Sequence, residues 1–155
     1  MKEFDEIYTT YVSEIQRYFY YLYLNEDIAS ELTQETFYRV FCSLVRFSGK
    51  CSMKTWIYSI AKHVHYKQLD KQKTVSLEEN ISVDSFTMKA DDKITIEQAI
   101  LSLPEPYKQV VILHLINDLP LRRVGEIMEH TENWAKVTYY RDKLLLQSKL
   151  SESEE

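Results

Sequence analysis

Glycine and proline are nearly missing from this chain, with two and three among 155 residues. Sheets and hairpins use those residues at their turns, so their scarcity argues for long helices joined by few turns. Cysteine is scarce as well: Cys42 and Cys51 are the only two. They make no closely spaced framework, which excludes a small disulfide-stapled scaffold. No apolar run reaches the ~18 residues that a membrane span requires, and the charged start, MKEFDEIY, lacks the character of an export signal. The expectation is a reduced, cytoplasmic protein. Positive charge is in deficit overall, with a formal net charge of -5, which argues against a generic nucleic-acid binder. There is no phosphate loop and no Ser/His/Asp order, so neither catalysis nor a cofactor or small-molecule substrate is expected. His63 and His65 are two apart and cannot share a helix face. Neither cysteine stands at ligand spacing to them, so no metal site is expected.

What is present points elsewhere. Hydrophobic residues make up 45% of the chain, enough for packed cores, and twelve are tyrosines. Tyrosine suits half-buried helix faces and surfaces that stack on bases. The charge is also unevenly spread. Residues 46–73 hold seven Lys/Arg against the single acid Asp70. Residues 74–94 hold five acids against two lysines, and residues 122–149 hold six bases against four acids. Two basic blocks flanking an acidic one suggest polyanion-binding faces on an acidic protein.

Apolar residues recur at spacings of three and four from Phe4 to Leu22, the mark of one helix with a buried stripe. Asn25 or Asp27 can cap a second helix that ends near Phe47, before Ser48-Gly49. Ser52 can cap a third, Met53 to about Lys71, with Trp56, Ile57, Ile60, Ala61 and Val64 as its buried face. Its other face would hold Lys54, Tyr58, Lys62, His65, Tyr66 and Lys67. Residues 74–93 show no sustained period and read as an acidic linker. A short helix then stops before Pro104, another follows from Tyr107, and Pro120 opens a third. A break around Glu129–Thr131 leads into a last helix, Glu132 to about Leu150. Two short helices, a tight turn and a longer basic helix are the layout of a helix-turn-helix. The predicted fold is all-α: two small helical domains over 1–73 and 94–150, a flexible linker between them, and a disordered tail over 151–155.

The residues themselves resemble a family. Ala29 to Phe37 (ASELTQETF) looks like the polymerase-binding core of region two of a sigma factor. Phe47 to Lys62 (FSGKCSMKTWIYSIAK) looks like the loop and helix that follow it. Leu103-Pro104 and then Leu119 to Leu144 resemble region four. Order, spacing and combined extent carry the likeness, which is to the extracytoplasmic-function group of the sigma-70 family. This chain departs from the family in having His63 where Asn is usual, and Glu129 where the helix-turn-helix turn commonly has Gly.

The resemblance implies a subunit that binds bacterial core RNA polymerase, on the clamp of the largest subunit and the flap of the second largest, and directs it to promoter DNA. It further implies an anti-sigma factor as inhibitor, often anchored in the membrane. Glu31 and Glu35 share a helix face and, with Gln34 and Phe37, are the expected polymerase contacts. Lys50, Ser52, Lys54, Trp56, Lys62, His63, Tyr66 and Lys67 mix bases with aromatics, as a single-strand groove does, and would hold the melted minus-10 strand. By periodicity Trp56 belongs to the core stripe, and Tyr66 and Lys62, which lie off that stripe, are the better candidates for contact. Asn133, Trp134, Lys136, Val137, Tyr140 and Arg141 occupy the first turns of the last helix, where base edges are read in the major groove of the minus-35 element. Arg141 could bond guanine in two places, and Arg122 and Arg123 would hold phosphate. The alternatives are an autonomous helix-turn-helix regulator and a helical interaction module with no DNA role.

Overall fold

A computed structural model of the chain describes residues 2–79 and 94–153. All regular structure among them is helical. Helices α1 (Lys2–Tyr23), α2 (Glu26–Ser43) and α3 (Met53–Glu79) form the N-terminal half, and a 3-10 turn, Leu44–Arg46, extends α2. Helices α4 (Ile96–Leu101), α5 (Tyr107–Val111), α6 (Leu121–Ile127) and α7 (Glu132–Ser153) form the C-terminal half, with a π turn, Ile112–Ile116, continuing α5.

The N-terminal core follows the apolar periods. Ile15, Tyr18, Phe19 and Leu22 of α1 are buried with Ala29, Leu32 and Val40 of α2 and with Ile57, Ala61 and Val64 of α3. Each large aliphatic or aromatic side chain among them contributes about 1.5–3 kcal/mol when fully buried. Asn25 caps α2, its side-chain oxygen accepting from the Ile28 amide at 2.9 Å. Ser52 Oγ accepts from the Thr55 amide at 3.1 Å and caps α3. α3 runs on to Glu79, past the boundary expected near Lys71–Lys73, because neither Gly nor Pro interrupts residues 74–79. Residues 80–93, the rest of the expected linker, lie outside the described residues. α7 continues through Ser153, so most of the segment read as a tail is helical; residues 154 and 155 lie outside the description.

In the C-terminal half, Thr95 and Gln98 form a reciprocal capping box at the start of α4. Pro120, expected at the first position of its helix, stands one residue before it, as the extended N-cap of α6. Glu129 adopts the left-handed φ of 60° in the turn between α6 and α7. The residue that must be glycine lies four positions earlier. A Cβ on Gly125 would sit 2.8 Å from the Thr131 carbonyl oxygen, so glycine is what lets α6 approach the start of α7. Thr131 Oγ1 then accepts from the Trp134 amide at 3.0 Å and caps α7.

Candidate polymerase and nucleic-acid interfaces

The two halves meet along a seam where α1 and α3 face α4, the π turn and α6. That seam decides where several of the expected contact residues lie. On α2, Glu31, Gln34 and Glu35 are exposed as expected, and they line a groove of about 550 Å³ between α2 and α3. Glu35 is paired with Arg39 at 2.9 Å. Phe37 is not a surface contact. It is buried, with its ring edge-on to Tyr8 at 5.1 Å, because it falls on the apolar side of α2. Lys67, expected on the minus-10 face, lines the same groove as Glu31 and Glu35.

Lys50, Ser52 and His63 are exposed. Lys54 is part-buried, 3.5 Å from Glu14. Trp56 is part-buried against Phe47, ring centroids 4.8 Å apart, and packs on the core while keeping an edge in solvent. Tyr66 is likewise part-buried. Lys62 corrects the expectation most sharply. Its side chain is 5% exposed, and its ammonium donates to the Ile127 carbonyl at 2.7 Å and lies 3.6 Å from Glu129. The supposed outer face of α3 is therefore a second buried face, with Tyr58 and His65 also inside.

On α7, Asn133, Lys136, Val137, Tyr140 and Arg141 all face solvent, while Ala135, Thr138, Tyr139, Asp142 and Leu146 are buried. This is the division expected of a recognition helix. Val137 is 58% and Tyr140 57% exposed, so apolar surface stands ready beside the charged groups. Lys136 pairs loosely with Glu132 at 3.7 Å. Arg141 lies over the Tyr107 ring at 4.5 Å, a cation–π contact. Trp134 stacks on His130 with centroids 3.9 Å apart. Arg122 is exposed, but Arg123 turns to the other half and donates to Ser52 Oγ and Thr55 Oγ1.

Several buried polar contacts join the halves within one continuous apolar core. Tyr18 donates to Gln109 at 2.7 Å, and Tyr58 to Glu14 at 2.7 Å. Asn117 donates to Tyr58 Oη and to the Glu14 carbonyl, both at 2.9 Å, and accepts from Arg17 at 2.8 Å. His65 bridges Tyr23 at 2.9 Å and Glu105 at 2.8 Å. Burial raises Tyr18 and Tyr58 well above the ordinary phenol range, so both stay neutral donors; for Tyr58 the Glu14 carboxylate adds to the effect. Burial also works against ionising Glu105. The hydrogen bond and charge of His65, with Gln109 and Lys108, outweigh it and hold the carboxyl below its usual value. Asp142 is the opposite case: burial pushes it up to about 6, with Arg141 a lesser, opposing influence.

Thr55, Glu105, Gln109, Asn117 and Glu126 do not stand out in the sequence. Only Thr55, three residues after the capping Ser52, has a local pattern that could draw notice. The others act through partners 40 to 103 positions away. Among the described residues no cluster of three or more His, Cys, Asp or Glu could hold a metal, and no helix is long and apolar enough to cross a membrane.

With the exposed ridge of α2, the loop into α3 and the outward face of α7 in place, comparison with known proteins shows what the chain is similar to. Residues 7–75 match the family model for sigma-70 region 2. The RNA polymerase sigma factor YlaC of Bacillus subtilis is 25% identical, over 97% of this chain and 94% of its own. The ECF RNA polymerase sigma factor SigW of the same organism is 26% identical, over 95% and 88%. The sigma factor RpoE of Bartonella quintana, solved in complex with the anti-sigma factor NepR, shares the fold with a TM-score of 0.80 over 97% of this chain and 98% of its own, at 17% identity. The chain carries a sigma-70 region 2 domain over residues 7–75. Over nearly its whole length it is similar to RNA polymerase sigma factors, those of the extracytoplasmic-function group among them.

Proposed function

We propose that this chain binds bacterial core RNA polymerase and selects promoters by engaging a melted minus-10 strand and a minus-35 duplex. The observation that carries the reading is the pairing of a region-two match over residues 7–75 with a C-terminal helix-turn-helix whose last helix turns Asn133, Lys136, Val137, Tyr140 and Arg141 to solvent. The acidic ridge of Glu31, Gln34 and Glu35 suits a basic helical surface such as the clamp of the largest polymerase subunit. Lys50, Ser52, Trp56, His63 and Tyr66 supply phosphate contacts and a stacking edge for unpaired bases. On α7, Lys136 would hold phosphate, Val137 and the Tyr140 ring offer apolar contact for thymine methyls, and Arg141 can swing from Tyr107 to a guanine edge. An anti-sigma factor is the partner class that the RpoE–NepR complex suggests for this chain as well. Such a protein acts in the cytoplasm and catalyses nothing itself.

The test is run-off transcription with core polymerase on genomic fragments, including the chain's own upstream region. New discrete transcripts are expected that Arg141→Ala reduces by roughly 5- to 150-fold, the worth of a bidentate base contact of ~1–3 kcal/mol. Retarded migration of duplex DNA by the protein alone, with no transcript, would point instead to an autonomous regulator.

A further inference from the structure

Trp134, on the first turn of α7, has a partner outside the helix. The His130 ring lies flat on its indole, centroids 3.9 Å apart and planes 12° from parallel. Both members of the stack are held by the backbone. The His130 amide donates to the Gly125 carbonyl at 2.8 Å, and the Trp134 amide donates to Thr131 Oγ1 at 3.0 Å. Trp134 also packs on the core, whereas His130 is exposed. Among the described residues no hydrogen bond or ion pair occupies the imidazole nitrogens. The neighbouring carboxylates are directed to lysines: Glu129 lies 3.6 Å from Lys62, and Glu132 lies 3.7 Å from Lys136. An aromatic platform thus holds an exposed ring N–H donor in one orientation.

The place of the stack on the helix says what that donor meets. An α-helix with its side chains is about 10–12 Å across and the major groove about 12 Å wide, so a helix lying in the groove fills it. Residues along the middle of its exposed face then meet base edges, and residues on the two margins meet the phosphate walls. Asn133, Val137 and Tyr140 run along the middle of the exposed face of α7. Trp134 and Lys136, two residues and so about 200° apart, fall on opposite margins of it. We infer that His130, braced on Trp134, is a phosphate anchor for the DNA strand at its margin, the counterpart of Lys136 at the other, and that the two anchors set the register of α7 in the minus-35 groove. A neutral imidazole has one N–H to give and an imidazolium two, so either form can make the contact. Such a contact carries no sequence information; it positions the side chains that do. The inference rests on the promoter-binding reading above and deepens it.

His130→Phe is the deciding variant, because phenylalanine keeps a ring to stack and removes the donor. Holoenzyme assembled from core RNA polymerase and the full chain is bound to a promoter duplex found by run-off transcription. It is also bound to copies of that duplex with a single methylphosphonate, a neutral stand-in for phosphate, at each position of the minus-35 element in turn. For the unaltered chain, one methylphosphonate on the strand at the Trp134 margin should weaken binding roughly tenfold or more, the worth of a hydrogen bond to a charged group. His130→Phe should weaken binding to the ordinary promoter by the same factor, equally for different minus-35 sequences, and should lose sensitivity at that one position. Lys136→Ala should lose sensitivity on the other strand instead. His130→Ala decides by the same criteria if His130→Phe loses its helical circular-dichroism signal. A folded variant that binds as tightly as the unaltered chain overturns the inference. So does one that binds more weakly yet keeps the full pattern of phosphate sensitivity, the result a merely structural stack would give. An unaltered holoenzyme that forms no promoter complex would instead overturn the sigma-factor reading on which the inference stands.

Discussion

Replacing Asp142 with alanine should stabilise the protein, by an amount that grows as pH rises from 3.8 to about 6. The residue is 1% exposed on the inner side of α7, and among the described residues neither carboxylate oxygen has a hydrogen-bond partner. Burial raises its folded pKa from 3.8 to about 6. Below the unfolded value the group is neutral in both states and contributes nothing to the pH dependence. Between 3.8 and about 6 the unfolded chain ionises first while the folded chain keeps its proton, so stability falls as pH rises. Above that window the whole penalty is present. Roughly two pKa units at ~1.36 kcal/mol each give about 3 kcal/mol as an upper figure. Alanine adds about 0.5 kcal/mol of helix propensity and gives up some side-chain contacts. Asp142→Ala should therefore gain about 2–3 kcal/mol at pH 7.5 and be near parity at pH 4. Urea unfolding of both proteins from pH 4 to 8, followed by circular dichroism, measures this difference, and groups shared by the two proteins cancel in it. A gain that does not change with pH would refute the assignment of the penalty to ionisation. A loss at pH 7.5 would show that the carboxylate holds a favourable contact.

Single positions elsewhere give further expectations. Gly125→Ala should cost about 1–3 kcal/mol, the usual penalty of overpacking, because its Cβ would meet the Thr131 carbonyl; a lowered thermal midpoint with reduced transcription is the expected result. Glu105 has a depressed folded pKa, so its contribution is present above the ordinary 4.5 and is lost as pH falls through the lower folded value. Glu105→Gln should thus be less stable than the unaltered protein near pH 7, and the gap should shrink in acid denaturation below pH 4.5.

The helices are legible in the sequence because their signals are local. The stripe from Phe4 to Leu22, the cap at Asn25 and Pro120 before α6 each declare themselves within a few residues. The seam is not local. Tyr58, Lys62 and His65 recur at helical spacing and form a second buried face of α3, but polar residues at that spacing look like a solvated surface. Nothing near Lys62 says that its partner is a backbone carbonyl, a group every residue carries. The turn between α6 and α7 misleads for a related reason. Glu129 occupies the position where left-handed geometry is expected, while the tight approach that demands glycine lies one helical turn earlier, at Gly125. The exposed side chains of α7 are legible because one amphipathic helix sorts them without help from the rest of the chain.

The π turn over Ile112–Ile116 gives chain length a meaning of its own. Here the Asn117 amide reaches back to the Ile112 carbonyl at 2.9 Å, and the Leu119 amide to that of Leu113 at 3.0 Å. One residue more than an α-helical path needs rotates the downstream residues by about 100°. That rotation, as much as the amide side chain itself, aims Asn117 across the seam. A homologue one residue shorter in this helix would present a different neighbour there even if it kept the asparagine. The contacts made at this point are then a matter of residue spacing as much as of residue identity.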